Sequence, residues 1–308
     1  MPTVSANGIE IEYDSTGDPA DPTLLLVMGL GAQLVAWDDD LVKTLAGRGF
    51  HVIRYDNRDV GLSTHLDDFP VTREQMLDVG KRSQFRLPVD VPYSIADMAD
   101  DAAALLDAIG IGRAHVAGVS MGGMIAQALA IGHPDKVLSL TSAMSTTGEK
   151  FVGMPTLSVL RLLARPSGTT LDEVVASELE MWRAIGTKHS FDPDVFVQRT
   201  TRAYNRAFDP AGVTRQTMAV LAAPSRAAGL RRLRIPTTVV HGTADHIVNV
   251  TGGIRTAWLV PGADLYLVRG YGHDLPYSAR ERFVGAIVST CARARSGVGS
   301  ARAGAGSV

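Results

Sequence analysis

The sequence offers a serine, an aspartate and a histidine where they could serve as nucleophile, orienting acid and base. The serine is Ser120, in the stretch GVSMGG from Gly118 to Gly123. A serine hydroxyl is a weak nucleophile near neutral pH, so it needs a base, and that base needs an acid to hold it. Gly118 and Gly122 flank Ser120 in the pattern G-x-S-x-G. That pattern suits a sharp strand-to-helix turn, which strains the serine backbone and brings neighbouring chain close. A helix starting at Met121 would aim its positive end and the Met121 N–H at a developing oxyanion.

The chain has 8 histidines from which to choose the base. His273, in GYGHDLP, follows the last expected strand and so falls at the same sheet edge as Ser120. His241 and His246 compete with it near the end of the preceding strand, whereas His51, His115 and His133 fall at strand starts or in a turn. For the acid, Asp245 in HGTADHIV follows the penultimate strand. No carboxylate occurs between Val137 and Gly148. Asp264 opens a strand at the wrong edge, and Asp274 adjoins the histidine too closely. Ser120, Asp245 and His273 are therefore the expected catalytic residues, in the chain order of one triad lineage.

These residues need a scaffold with strand ends on one side. TLLLVMG, HVIRYD, AHVAGV, KVLSLTSAM, IPTTVVHG and DLYLVRG read as strands, several of them apolar throughout as in a sheet buried on both faces. Ile9 to Asp14 alternates as a half-buried strand does. Helical segments lie between them, among them SIADMADDAAALLDAIG, whose Ser94 and Asp97 resemble a capping box. Strands alternating with helices predict an α/β fold with a mostly parallel sheet and helices on both faces. From about 147 to 223 only helical periodicity appears. The expected organisation is a core of 1–146 and 224–294 with a helical cap at 147–223, which the irregular stretch from Thr64 to Tyr93 could join. The Gly-, Ala- and Ser-rich end, 295–308, reads as a disordered tail.

Composition adds exclusions. The 308 residues are 45% hydrophobic and 20% charged with a net charge of −2, which gives no electrostatic reason to expect nucleic acid. Cys291 is the single cysteine, so no intrachain disulfide can form. No signal-like segment opens the sequence, and Leu24 to Trp37 is too short and glycine-broken to span a bilayer. A cytoplasmic protein without a transmembrane segment, monomeric or homodimeric, is expected. Neither a metal nor an organic cofactor is expected, since the histidines lack H-E-x-x-H spacing and no G-x-G-x-x-G opens an early helix.

The combination of MGLGAQ, VIRYDNRDVGLS, GVSMGGMIAQ, HGTADHIV and GYGHDLP resembles the α/β-hydrolase superfamily, over about Ile9 to Arg293. Within it the chain is similar to actinobacterial esterases of the aclacinomycin methylesterase and mycobacterial lipase/thioesterase type. Where such proteins usually carry His-Gly before an oxyanion donor, this chain has Met28-Gly29. The resemblance thus implies Leu30 as the second backbone donor beside Met121. Asn249 stands where relatives often have proline. Asp56 and Arg58 are expected to pin loops together.

The chemistry implied is acyl transfer from a small-molecule ester to water. Met154, Leu157, Leu160, Met181 and Trp182, on the expected cap helices, are candidates for an apolar acyl pocket that favours small or medium esters. A thioesterase, a natural-product methylesterase, a cofactor-free haloperoxidase or perhydrolase, and a ligand sensor with a retained triad remain alternatives. Ser120 argues against dehalogenases and epoxide hydrolases, which need an aspartate nucleophile.

Overall fold

The computed structural model describes residues 1–85, 87–163, 165 and 168–303, with side chains described as far as Arg295. Along the chain run β1 (Thr3–Ala6), β2 (Ile9–Thr16), β3 (Thr23–Val27), α1 (Asp39–Gly47), β4 (His51–Tyr55), α2 (Arg73–Gln84), α3 (Ile95–Ala108), β5 (Ala114–Val119), α4 (Met121–Gly132) and β6 (Val137–Ala143). There follow α5 (Leu157–Leu163), α6 (Leu171–Ile185), α7 (Pro193–Arg206), α8 (Pro210–Ala222), α9 (Ala227–Leu230), β7 (Thr237–Gly242), α10 (Thr251–Leu259), β8 (Asp264–Val268) and α11 (Tyr277–Ala303).

The strands form one 8-stranded sheet in the order β1-β2-β4-β3-β5-β6-β7-β8. β1 and β2 pair antiparallel, as do β2 and β4, and every later pairing is parallel. β3 and β5 are buried along their whole length because helices cover both faces. Leu25, Val27, Ile53 and Val116 face one core with α3 and α4. Leu24, Leu26, Val52 and Ala117 face the other with α1 and α11. Alternate residues of one strand therefore serve opposite cores.

Local sequence explains most helix starts. Ser94 and Asp97 close a capping box at α3, with the Ser94 N–H 2.7 Å from Asp97 Oδ2. Asp38 caps α1, and Pro193 and Pro210 occupy first-turn positions of α7 and α8, where a missing N–H costs nothing. Two elements differ from sequence expectation. The stretch from Thr64 to Tyr93 holds α2, opened by a Thr72–Gln75 capping box and packed on α8. The closing helix, expected to end near Arg293, continues to Ala303, which places residues 295–303 of the expected tail in a helix. The remaining tail, 304–308, lies outside the described residues. Alanine and arginine are strong helix formers, which carries the helix past Arg293 to Arg295; Ser296 to Ser300, with two glycines, supply no local propensity for the turns beyond.

Between β6 and β7 the described residues form helices α5 to α9 and no strand.

Candidate active site

β5 ends the central strand run at Val119, and the chain reverses at Ser120 into α4. Ser120 has φ 55° and ψ −121°, a conformation that costs a non-glycine residue about 1–3 kcal/mol. Its N–H donates to the Ala143 carbonyl at 2.9 Å, which holds the turn against β6. The flanking glycines are required by contact. A Cβ at Gly118 would lie 2.1 Å from the Gly122 carbonyl oxygen, and one at Gly122 would lie 2.1 Å from the Val27 oxygen. The first turn of α4 therefore rests directly on the end of β3. Met121 opens α4, so its N–H has no acceptor within the helix.

The loop after β3 runs beside this turn. A Cβ on Gly29 would approach the Ser120 Cβ to 3.3 Å. Leu30 follows, and the Gly31 N–H donates to Gln216 Oε1 at 2.8 Å. Gln216, on α8 and fully buried, also donates to the Arg58 carbonyl at 2.7 Å. Asn57 Nδ2 donates to the Met28 carbonyl at 3.1 Å. The loop that carries Leu30 is thus held from both the sheet and the inserted helices.

Asp245 lies just past β7 and His273 past β8. His273 Nδ1 is 2.6 Å from Asp245 Oδ2. Nδ1 faces a carboxylate and must carry the hydrogen, which leaves Nε2 as the basic nitrogen of the neutral ring. Asp245 Oδ1 accepts from the N–H groups of Ile247 and Val248 at 3.0 and 2.8 Å. Burial alone would raise the Asp245 pKa. The charge on His273 and hydrogen bonds from His241 and His273 outweigh it and lower the carboxyl to about 2. Asp245 is therefore an anion throughout the physiological range.

His241, left as a rival base by its position in the sequence, has a different place. Its Nε2 donates to the Val248 carbonyl at 2.8 Å and lies 3.4 Å from Asp245 Oδ2, and the ring is fully buried. It braces the acid from behind. His246 is absent from the cavity wall described next.

Ser120, His273, Leu30 and Met121 all line one open cavity of about 2120 Å³. No hydrogen bond joins Ser120 to His273 among the described residues. Such bonds commonly close only when substrate is present. Met154, Leu160, Met181 and Trp182 lie in the cavity wall. Leu157 does not, which corrects the sequence expectation: it is 64% exposed. Val159 is the buried residue of the short α5, and Leu157, two positions earlier, projects from the opposite side of that helix.

The helices inserted between β6 and β7 are fastened to the site. The His273 N–H donates to the Ile185 carbonyl at 2.7 Å, at the end of α6. Asp274 accepts from the Thr187 N–H at 3.0 Å. Asp56 and Arg58 pin loops, as expected. Asp56 Oδ1 and Oδ2 accept from the N–H groups of Leu34 and Leu62, while Arg58 grips Asp101 with Nε and Nη2.

A second cluster joins the β4 loop to α8. The Arg215 guanidinium contacts both oxygens of Asp59, at 2.9 and 2.8 Å, and reaches Asp209 Oδ2 at 3.2 Å. Asp59, His65 and Asp209 bring ligand atoms within 4.8 Å of one another, and Arg215 pairs with both carboxylates, so the group is an ion-pair cluster. His65 has acceptors at both ring nitrogens, Asp209 Oδ2 at 2.6 Å and the Gly61 carbonyl at 2.9 Å. Burial lowers its pKa, and these two bonds outweigh burial to raise it above the ordinary value. A raised folded pKa means that the stabilisation is complete below the unfolded value of about 6.5 and is lost as pH rises through the folded one. The stability gap between wild type and His65→Gln is expected to be widest in mild acid and to narrow above neutrality. Urea unfolding at a series of pH values measures this, and a gap independent of pH would contradict it.

The topology and the strand-end site together point to one family, and comparison with known proteins decides it. Residues 22–279 match the family model described as alpha/beta hydrolase fold. The chain belongs to the α/β-hydrolase family. It is 32% identical to a rhodomycin D methylesterase of Streptomyces sp. (strain C5), over 96% of this chain and 99% of that protein. It is 31% identical to the rhodomycin D methylesterase of Streptomyces peucetius with the same coverage. The enol-lactonase of Burkholderia xenovorans LB400 shares the fold, with a TM-score of 0.72 and 22% identity over 94% of this chain and 99% of that one. This α/β hydrolase thus has esterase relatives along its whole length. No described helix is long and apolar enough to cross a membrane.

Proposed function

We propose that the protein is a serine carboxylic ester hydrolase that works through an acyl-enzyme. One observation carries this reading: Ser120, held in a left-handed turn at the end of β5, opens into the same cavity as the His273 that Asp245 orients. In the proposed reaction His273 Nε2 takes the Ser120 proton as Oγ attacks the ester carbonyl. Asp245 keeps the proton on Nδ1 and stabilises the imidazolium that forms. The N–H groups of Leu30 and Met121 receive the oxyanion. His273 then protonates the departing alkoxide, and a water activated by the same nitrogen releases the acid.

Helices α5 to α8 are proposed to act as a cap that sets specificity, with Met154, Met181 and Trp182 forming an apolar wall. Esters of medium acyl length fit such a wall better than acetate, which leaves it unfilled, or palmitate. A p-nitrophenyl ester series from acetate to palmitate, run with wild type and Ser120→Ala, is expected to show a maximum at intermediate length that the variant lacks. A rate independent of chain length would remove the acyl-pocket assignment. Turnover of acyl-thioesters in preference to their oxygen esters would move the reading to a thioesterase.

A further inference from the structure

The inner face of α6 carries Val174, Ser177, Glu178, Met181, Trp182 and Ile185 into the cavity wall, at the spacing of one helix side. Glu178 is the ionisable member of that stripe. Its Oε2 accepts from the Trp182 indole N–H, one turn on, at 2.9 Å. Its Oε1 accepts nothing from the described residues, and none of their cationic groups pairs with it. The neighbouring Glu180 is different: it pairs with Arg165 at 2.6 Å, with both side chains exposed. Lys81 and Lys150, which also line the cavity, are solvent-exposed.

Trp182 is itself held in place. Its ring stacks on Phe196 with centroids 5.1 Å apart, and Phe196 stacks on Phe191 at 5.0 Å. The indole therefore fixes the carboxyl group it bonds. Glu178 is half-buried, and burial pushes its carboxyl up from its ordinary value. A carboxyl in an apolar wall is most stabilised by a cation with hydrogens to donate.

We propose that Glu178 and Trp182 form a recognition subsite for a protonated amine on the substrate. The inference rests on the esterase reading of Ser120 and His273. Glu178 lies seven positions before Ile185, whose carbonyl holds the His273 N–H, so the amine sits about 10 Å along α6 from that anchor. The substrate class is an ester with an aliphatic amine remote from its scissile carbonyl.

Three p-nitrophenyl esters of equal length test this: 8-aminooctanoate, 8-hydroxyoctanoate and nonanoate. Wild type is expected to favour the amino ester over nonanoate in kcat/KM. Glu178→Gln is expected to lower that ratio about 10- to 100-fold, and Glu178→Asp to retain part of it. An unchanged ratio in Glu178→Gln overturns the proposal. So does a hydroxy ester that shows the same preference and the same loss, which would make Glu178 a general hydrogen-bond acceptor. If wild type hydrolyses none of the three, the esterase reading fails by itself, and calorimetric binding of octylammonium decides the subsite. Binding at least tenfold weaker in Glu178→Gln supports the subsite, and equal binding overturns it.

Discussion

Ser120→Ala is expected to lower kcat/KM toward an aryl ester by roughly 10³- to 10⁶-fold, leaving only the catalysis of the oxyanion site and binding. The loss should come without unfolding. The Ser120 hydroxyl makes no hydrogen bond to the described residues, and the Ser120 N–H bond to Ala143 survives the substitution. Alanine keeps the Cβ that packs against Gly29. Thermal unfolding of the variant is therefore expected to match wild type within about 0.5 kcal/mol, as for a substitution that removes no buried contact. A variant that is both inactive and unstable would instead mark Ser120 as a structural turn residue.

The second large effect is on stability. Arg215 is 1% exposed and Asp59 is fully buried, and each nitrogen–oxygen contact between them is shorter than 3 Å. Arg215→Ala strands the buried Asp59 carboxylate with no other guanidinium or ammonium paired to it among the described residues, and only the His65 ring nearby. Breaking a buried pair from one side costs about 3–5 kcal/mol. The loss is expected in urea unfolding as a lower midpoint with little change in slope. A cost below about 1 kcal/mol would mean that water reaches Asp59 and that α8 is not clamped there. Because Gln216, the next residue on α8, holds the Leu30 loop, activity should also fall in Arg215→Ala before global unfolding sets in.

How much of this could be read from sequence depends on the range of the interactions that decide it. β3, β5 and β7 were legible because strands buried on both faces show as unbroken apolar runs. The α3 capping box was legible because its two partners are three residues apart. β1 was not, since its four residues are too few to show an alternation. α2 buries only Val79 and draws its support from α8, far along the chain. Periodicity marks α5 as apolar but does not say which side faces the cavity, and Leu157 lies on the exposed side. His241 and His273 look alike in sequence, as strand-end histidines near glycine. In the structure the His241 contact with the Val248 carbonyl marks the brace, and the His273 contact with Asp245 beside the open cavity marks the base. Gln216, Arg215 and Asp59 act across 156 or more residues, a distance over which residue spacing carries no signal.

Ser120 is proposed to be an activated nucleophile. The most direct test is the intact mass of the protein after exposure to diisopropyl fluorophosphate, followed by peptide mapping. Phosphorylation of a serine by this reagent, with loss of fluoride, requires the base and the oxyanion donors that the site is proposed to supply. A single diisopropylphosphoryl adduct is expected on the peptide containing Ser120, absent from Ser120→Ala. A folded wild-type protein that stays unlabelled, or that carries its adduct on another residue, would contradict it.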